Sequence, residues 1–305
     1  MAAADLHFSE STRERVTALA GAMCRSGADA LVLAGDAVAG GPQDLAEVLA
    51  LFADYSGPKL MVAGNHDLWG ERPPFETWTR YERTIADVAV AQGFHYLDQG
   101  PLVVDDVAFV GCVGWYDYGF RQLSEPVSGV RVTPVSVSYS ADSVANFRSV
   151  LSAGEMSWDE LTDADFAHKG LVWQTDGAPH VAVWNDGIYI DWGRSDQEMA
   201  RWFAERLRAQ IAEVSGSARR LVGVTHFVPF AEFVPSPVDD VKQALAGAYL
   251  GSPQLGEVLR ESDALRVVIF GHRHRQEVRE VDGVVAVDAS VARESERPLV
   301  LTLPD

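Results

Sequence analysis

The sequence of 305 residues predicts an α/β domain in which helices pack on a mainly parallel β-sheet. In the first 115 residues, amphipathic stretches with a helical period alternate with short apolar runs, several of which end in Gly. Such an alternation is typical of β–α–β units, whose strands run parallel. The apolar content of 47 % is enough for a large core. The length allows one large domain or two small ones, and we predict a single domain over residues 1–305.

The predicted elements of the first half follow one another in a regular order. The predicted helices cover residues 11–26, 43–54 and 75–92. The predicted strands cover residues 30–35, 59–64, 102–104 and 107–114. After the middle of the chain, short strands are predicted again, over residues 219–226, 265–272, 276–281 and 284–289.

Residues 116–218 have a different pattern and are predicted to be an insertion or cap within the domain. This segment contains a Ser/Val-rich stretch at 127–140, a helical span near 157–168 and the aromatic run WNDGIYIDWGRS. Ser195-Asp-Gln-Glu198 matches a capping box, which predicts the start of a long helix that ends near residue 214.

Composition and charge exclude some classes of protein. The formal charge of −19 repels polyanions, so non-specific binding of DNA or RNA is disfavoured. Apolar runs stay well below the roughly 18 residues of a membrane helix, and the N-terminus has no signal-peptide pattern. The two cysteines have no metal-type spacing and are interpreted as reduced thiols, with a single disulfide as the alternative. These features predict a cytoplasmic protein.

Five short polar motifs stand where predicted strands end. They are Asp5-Leu6-His7, Gly35-Asp36, Gly64-Asn65-His66-Asp67, Thr225-His226 and Gly271-His272-Arg273-His274. Each motif alone has an ordinary explanation, such as a Gly-Asp turn or a core histidine. In an α/β sheet, however, the loops beyond the carboxyl ends of the strands converge on one crevice. Because carboxylate, amide and imidazole ligands suit divalent cations, the five motifs together favour a metal site.

In this order, the motifs resemble those of the calcineurin-like metallophosphoesterases, over nearly the whole chain apart from its middle. The resemblance implies a four-layer α/β/β/α sandwich that holds two divalent cations, with Mn, Fe and Zn all compatible with the ligands. The implied ligands of the first cation are Asp5, His7 and His274. The implied ligands of the second cation are Asn65, His226 and His272. Asp36 would bridge the two cations.

The resemblance also implies how the site would work. A water that bridges the cations would lose its proton and attack phosphorus. His66 would act as a catalytic imidazole near the leaving group, and Asp67 would orient it. Tyr116 and Asp117 follow a predicted strand, so we predict that they reach the crevice and contact the substrate.

The predicted function is therefore metal-dependent hydrolysis of a phosphomonoester or phosphodiester, with small molecules or nucleotides as substrates. Asp36 is followed by Ala-Val-Ala-Gly-Gly and not by Asp-Arg-Gly, which argues against a Ser/Thr protein phosphatase. Only four residues precede Asp5, so the first strand is expected to be short. Two alternatives remain open: a nuclease, which the acidic charge disfavours, and a catalytically inactive binding module with the same fold.

Overall fold

The computed structural model describes residues 1–70, 76–121, 130–139, 145–148, 154–175, 178–236, 238, 240–291 and 297–304. Its strands, in chain order, are β1 Ala2–Ala3, β2 Leu31–Ala34, β3 Lys59–Val62, β4 Phe94–Tyr96, β5 Leu102–Val104, β6 Val107–Cys112, β7 Arg131–Pro134, β8 Ser136–Tyr139, β9 Ala145–Arg148, β10 Met156–Ser157, β11 Gly170–Thr175, β12 Ala178–Val183, β13 Arg220–Thr225, β14 Leu265–Phe270, β15 Glu277–Val281 and β16 Val284–Asp288. Its α-helices are α1 Arg13–Cys24, α2 Leu45–Ala50, α3 Asn65–Leu68, α4 Thr77–Thr79, α5 Ile85–Ala91, α6 Asp163–Phe166, α7 Asp186–Tyr189, α8 Asp196–Val214, α9 Val241–Ala248 and α10 Pro253–Leu259.

Two sheets form the centre of the protein. The first has the order β1-β2-β3-β4, and its strands are all parallel. The second has the order β15-β16-β14-β13-β6-β5 and is mixed, because the two edge strands pair antiparallel with their neighbours. The expected short first strand is observed, since β1 has two residues that pair with β2. The parallel strands of both sheets carry the polar motifs at their carboxyl ends.

Alternate residues of the central strands face two different cores. Val32 and Ala34 of β2 lie in an apolar cluster with Val222 of β13, in the other sheet. Leu31 and Leu33 lie in a second cluster, which includes the buried face of α1. The two sheets therefore pack face to face with helices on their outer sides. The predicted four-layer α/β/β/α sandwich is confirmed.

Helix α8 begins at the predicted capping box. The Ser195 hydroxyl accepts a hydrogen bond from the Glu198 N–H, and the Glu198 carboxylate accepts one from the Ser195 N–H at 2.8 Å. The helix packs against β6 and α10 of the sandwich. Its buried Gln210 donates to the carbonyls of Leu97 and Gly111, and accepts from the Gly111 N–H. Helix α8 is therefore part of the sandwich.

Helix α8 lies within the predicted insertion of residues 116–218 but packs with the sandwich. We call residues 116–194 the cap segment. Its described part contains an antiparallel sheet with the order β10-β7-β11-β12 and a separate hairpin of β8 and β9. The Ser/Val-rich stretch contributes β7 and β8, while residues 127–129 and 140 lie outside the described residues.

One predicted helix is divided in the structure, and another is continuous but contains a π-helical turn. The span at 157–168 is divided into a 3₁₀ turn, Trp158–Glu160, and helix α6, because Ser157 and Thr162 each start a separate turn. Each of these residues forms its own capping box with the acidic residue three positions later. The span at 75–92 contains a π-helical turn, Arg80–Thr84, between α4 and α5. Among the described residues, no helix is both long and apolar enough to span a membrane.

Candidate metal centre

The seven predicted metal ligands meet at the carboxyl ends of strands from both sheets. Asp5, Asp36 and Asn65 follow β1, β2 and β3, whereas His226 and His272 follow β13 and β14. The structure forms two overlapping groups of potential ligands. The first group is Asp5, His7, Asp36 and His274. The second group is Asp36, His226 and His272, with Asn65 beside it.

Five of these seven residues have a left-handed backbone. Their φ angles are 57° at Asp5, 45° at His7, 52° at Asp36, 73° at His272 and 54° at His274. Asp and His are among the few non-glycine types that adopt this conformation with any frequency. Holding a non-glycine residue in this backbone conformation costs about 1–3 kcal/mol of folding free energy, and such strain is concentrated at functional sites. At each of these five positions the backbone turns at or near the end of a strand, and the side chain lies in one of the two groups of potential ligands.

The first group is compact. The Nε2 atoms of His7 and His274 lie 3.0 Å apart. Nε2 of His7 is 3.8 Å from Oδ1 of Asp5 and 3.7 Å from Oδ2 of Asp36. Nε2 of His274 is 3.5 Å from the same Asp5 oxygen. Four nitrogen and oxygen atoms thus surround one point, as ligands of a cation do.

The second group lies on the other side of Asp36. Nε2 of His226 is 2.9 Å from Oδ1 of Asn65, 3.4 Å from Oδ1 of Asp36 and 3.3 Å from Nδ1 of His272. Nδ1 of His226 lies 3.0 Å from the Ala34 carbonyl, so it carries a proton and donates it there. This hydrogen bond leaves Nε2 as the atom that can bind a cation.

The donor set fits two cations. Oδ2 of Asp36 is buried and has no hydrogen-bond partner among the described residues. Unpartnered buried polar atoms are costly unless an ion or a ligand satisfies them. Asp36 presents Oδ2 to the first group and Oδ1 to the second, which is the placement that a bridging carboxylate needs.

The electrostatics agree with metal binding. Burial lowers the pKa of His7 to about 4 and holds that of His272 well below its usual range, so both imidazoles are neutral, as ligands must be. Burial raises the pKa of Asp36, but the nearby His226 and His66 lower it by more. The pKa therefore lies well below its usual range, and the carboxylate stays ionised. Burial also lowers the pKa of His226, yet the Asp36 carboxylate raises it to about 10. A cation held by Nε2 of His226 would take the place of this proton, so metal binding is expected to release a proton.

Glycines before the ligands allow this close packing. A Cβ atom at Gly64 would lie 2.1 Å from Oδ1 of Asp36, and one at Gly35 would lie 2.5 Å from Nδ1 of His226. Gly35 also has a φ of 87°, which side chains rarely adopt. The loops after β2 and β3 can therefore approach each other only because these positions have no side chain.

His66 lies at the edge of the first group. Its Nδ1 is 2.6 Å from the Ala39 carbonyl, so Nδ1–H donates there and Nε2 faces the cluster, 4.0 Å from Oδ2 of Asp36. The Trp69 ring stacks on its ring with a centroid distance of 3.6 Å. Tyr189 of the cap segment stacks on the other side of Trp69, at 4.8 Å. The imidazole is therefore held by a carbonyl and by an aromatic stack.

The predicted orientation of His66 by Asp67 needs correction. The Asp67 carboxylate is buried and accepts hydrogen bonds from the Val38 N–H at 3.0 Å and the Gly64 N–H at 2.8 Å. Both its oxygens are thus used to hold the loops after β2 and β3 together. Burial raises the pKa of this carboxyl to about 7. Asp67 supports the backbone of the site, while Ala39 orients the imidazole.

Tyr116 and Asp117, which we predicted to reach the crevice and contact the substrate, are engaged with other residues of the protein. Tyr116 is fully buried, and its hydroxyl accepts a hydrogen bond from Nζ of Lys169 at 2.5 Å. Asp117 accepts hydrogen bonds from Ser252 and Gln254 at the start of α10, and so fixes that loop. Core packing therefore explains Tyr116, and the hydrogen bonds to the start of α10 explain Asp117.

A cavity of about 410 Å³ is lined by residues of the cap segment and of the start of α8. Its lining includes Trp115, Lys169, Asp186 and Arg194. Asp186 also accepts a hydrogen bond from the candidate ligand Asn65, so one lining residue of this cavity touches the candidate metal centre. The sequence did not single out Lys169 or Asp186, because both stand in a segment without a recognisable motif.

Comparisons of this chain with known proteins agree with the fold and with the arrangement of the candidate metal centre. The model of the calcineurin-like phosphoesterase family matches residues 1–276, and the chain belongs to this family. The phosphopantetheinyl hydrolase PptH from Mycobacterium tuberculosis has a similar structure, with a TM-score of 0.64 and 17 % identity, over 98 % of this chain and 94 % of that one.

Two further solved structures share the fold at a TM-score of 0.50. A dimetal phosphatase from Danio rerio is 12 % identical over 97 % of this chain and 88 % of its own. The protein TT1561 of Thermus thermophilus is 13 % identical over 94 % of this chain and 86 % of its own. No curated protein matches this chain. At these identities the similar structures support the fold and leave the substrate open.

Proposed function

We propose that this protein hydrolyses phosphate esters of small molecules, including nucleotides, with the help of two divalent cations. The observation that carries the proposal is the position of Asp36, whose two carboxylate oxygens face two separate groups of ligands. Such an arrangement suits a pair of cations that clamp a phosphoryl group during an in-line displacement.

The residues divide between the two cations as follows. Asp5, His7 and His274 would hold the first cation, and Asn65, His226 and His272 would hold the second. Asp36 would be shared. When bound, such a pair of cations stabilises charge on the phosphoryl oxygens and makes water a stronger nucleophile.

The protein's own groups would orient the substrate and move the proton. The Nε2 atom of His66 faces the cluster, so it is the atom that would donate a proton to the leaving oxygen. The Ala39 carbonyl keeps Nδ1 protonated and so fixes the direction of that transfer. Trp69 covers one face of the ring and restricts its rotation and its contact with water.

The acidic charge favours small substrates over polymers. With a formal charge of −19, the surface repels a long polyanion, whereas a single phosphate group can be attracted by the two cations. The nuclease alternative is therefore less favoured. The inactive binding module is disfavoured because the seven candidate ligands lie in two adjoining groups that share Asp36, with the His66 imidazole beside them.

A substrate panel tests the proposed function. Metal-stripped protein is reconstituted with Mn²⁺, Zn²⁺ or Fe²⁺ and assayed on an aryl phosphate, a bis-aryl phosphate, a cyclic nucleotide, a dinucleotide and single-stranded DNA. We expect metal-dependent hydrolysis of at least one small ester and little or none of the DNA. Hydrolysis of DNA alone would support the nuclease instead, and no hydrolysis at any site occupancy would support the binding module.

Tyr116 is expected to influence substrate choice indirectly. Its hydroxyl accepts a hydrogen bond from Lys169, which lines the cavity of about 410 Å³ together with Asp186, the hydrogen-bond partner of Asn65. Tyr116→Phe removes only this hydroxyl. We expect relative rates across the panel to change by up to about tenfold, the scale of one hydrogen bond to a charged group. Metal content should stay the same.

The matched control for this substitution is Tyr55→Phe. The Tyr55 hydroxyl donates to the Ala28 carbonyl, at the other end of the sandwich. Its removal should leave the order of substrates unchanged. If Tyr116→Phe also leaves that order unchanged, Tyr116 has only a packing role.

A further inference from the structure

Asp186 is a buried carboxylate of the cap segment that touches the metal centre. It begins helix α7, lies 121 positions from Asn65 in the chain and is only 2 % exposed. Its Oδ1 accepts hydrogen bonds from Nδ2 of Asn65 at 2.8 Å and from Nε1 of Trp69 at 2.9 Å. Its Oδ2 accepts one from Nε1 of Trp184 at 2.8 Å. Three N–H donors thus converge on one carboxylate.

This contact determines which way the Asn65 amide points. An amide has an oxygen that accepts and a nitrogen that donates, and an ionised carboxylate can only accept. Asp186 therefore requires the NH₂ group of Asn65 on its own side. The Asn65 oxygen is left facing Nε2 of His226 at 2.9 Å, within the second group of ligands. Only the oxygen of an amide is a suitable ligand for a divalent cation.

The same carboxylate also supports neighbours of the centre. Trp69 stacks on His66, and the Trp184 ring packs edge-on against His272 at a centroid distance of 5.7 Å. The Gly70 N–H donates to the Tyr189 carbonyl at 3.0 Å, so the backbone of the cap segment is bonded to the loop after β3 as well. Asp186 therefore lies where the cap segment contacts the loop after β3, which contains Asn65.

We propose that Asp186 is a positioning residue for the second metal site. It holds the Asn65 oxygen towards the place where Asn65, His226 and His272 would bind a cation. This inference rests on the proposed function only in so far as that function requires two cations. The cap segment consequently contributes to metal binding, in addition to any role in covering the substrate.

Asp186→Asn tests this inference with little change in shape. An amide at this position either turns its NH₂ towards Asn65, which must then flip, or turns it towards the Trp184 N–H, which then has no acceptor. In the first arrangement Asn65 turns its oxygen away from the second group of ligands, and in the second it donates to a neutral amide oxygen, a weaker acceptor than a carboxylate. We expect the second cation to bind about 10- to 100-fold more weakly, the usual cost of losing a group that orients a metal ligand. The first cation should bind with wild-type affinity.

The measurement is a titration of metal-stripped protein with Mn²⁺, with chelator competition to resolve the two affinities and thermal unfolding in parallel. The control is Asp165→Asn, since Asp165 is a carboxylate of the cap segment that also accepts two hydrogen bonds, both from Thr162. It should leave both affinities unchanged. If Asp186→Asn does not fold, Asp186→Glu takes its place, because it keeps the charge but displaces the carboxylate, and selective weakening is again expected.

Equal weakening of both sites, or no weakening, would overturn the inference and leave Asp186 with a purely structural role. A wild-type protein that binds one ion would overturn the inference together with the two-cation site. A wild-type protein that binds two ions without hydrolysing any ester would overturn the proposed function alone.

Discussion

Asp36→Asn is expected to reduce hydrolysis by at least about 10³-fold and to lower the metal content. The Asp36 carboxylate presents one oxygen to each group of ligands. An asparagine can keep the Oδ1 contact with the His66 N–H, but then places an NH₂ group where Oδ2 faces His7. Cations at such a site contribute several kcal/mol to stabilising the transition state, which corresponds to about three powers of ten in rate.

The control for this substitution is Asp106→Asn. Asp106 pairs with Arg219 and Arg220, at the end of β6 that lies away from the metal centre. This variant should keep both cations and wild-type turnover. The role of Asp36 would be wrong if Asp36→Asn, folded by circular dichroism, still bound two cations per chain and hydrolysed the substrate at the normal rate.

His66→Gln is expected to leave both cations bound and to reduce turnover by about 10²- to 10⁴-fold, the usual range for a proton-transfer residue. The side chain lies beside the ligands, and its Nδ1 is held by the Ala39 carbonyl. Glutamine can replace that hydrogen bond but cannot carry a proton to the leaving oxygen. The loss should therefore be largest for substrates with poor leaving groups and smallest for activated aryl esters.

The dependence on the leaving group is what distinguishes proton transfer from a packing role. His95→Gln is the matched control, because Nε2 of His95 is bonded to the Gly100 carbonyl outside the metal centre. It should have wild-type kinetics. An equal loss on good and poor leaving groups after His66→Gln would contradict proton donation by His66.

The local pattern of the sequence predicted the mainly parallel sheet with polar motifs at its strand ends, and the resemblance of those motifs to a known family implied the four-layer sandwich and the candidate ligands. Apolar runs with Gly at their ends located β2 and β3, and parallel strands bring their carboxyl ends to one edge of a sheet. The buried face of α1 could be predicted as well, because Val16 and Leu19 recur with the helical period. Local pattern and the geometry of a parallel sheet decide these features.

Other parts of the site depend on contacts between distant residues. Ala39 orients His66 through its backbone carbonyl, which any residue at that position could provide, so the side-chain sequence carries no signal for it. The contact between Asp186 and Asn65 joins residues 121 positions apart, and no periodicity relates them. The burial of Tyr116 was missed for a similar reason, since its partner Lys169 comes from the cap segment.

The sequence also did not predict where the cap segment ends. The capping box at Ser195 correctly predicted where α8 begins, but which sheet the helix packs against depends on tertiary contacts. Gln210 shows the reason, because its buried amide is bonded to the backbone of β6 and of the turn that precedes β5. A polar residue on a helix suggests an exposed face until such partners are known.

The most direct test is to titrate metal-stripped protein with Mn²⁺ while bound metal and hydrolysis of an aryl phosphate are followed in the same samples. Two ions per chain should bind, and hydrolysis should reach its maximum only when the second site is filled, because the two oxygens of Asp36 face the two groups of candidate ligands. Binding of less than one ion per chain, or hydrolysis that persists at full rate after the metal is stripped, would contradict a two-cation phosphoesterase.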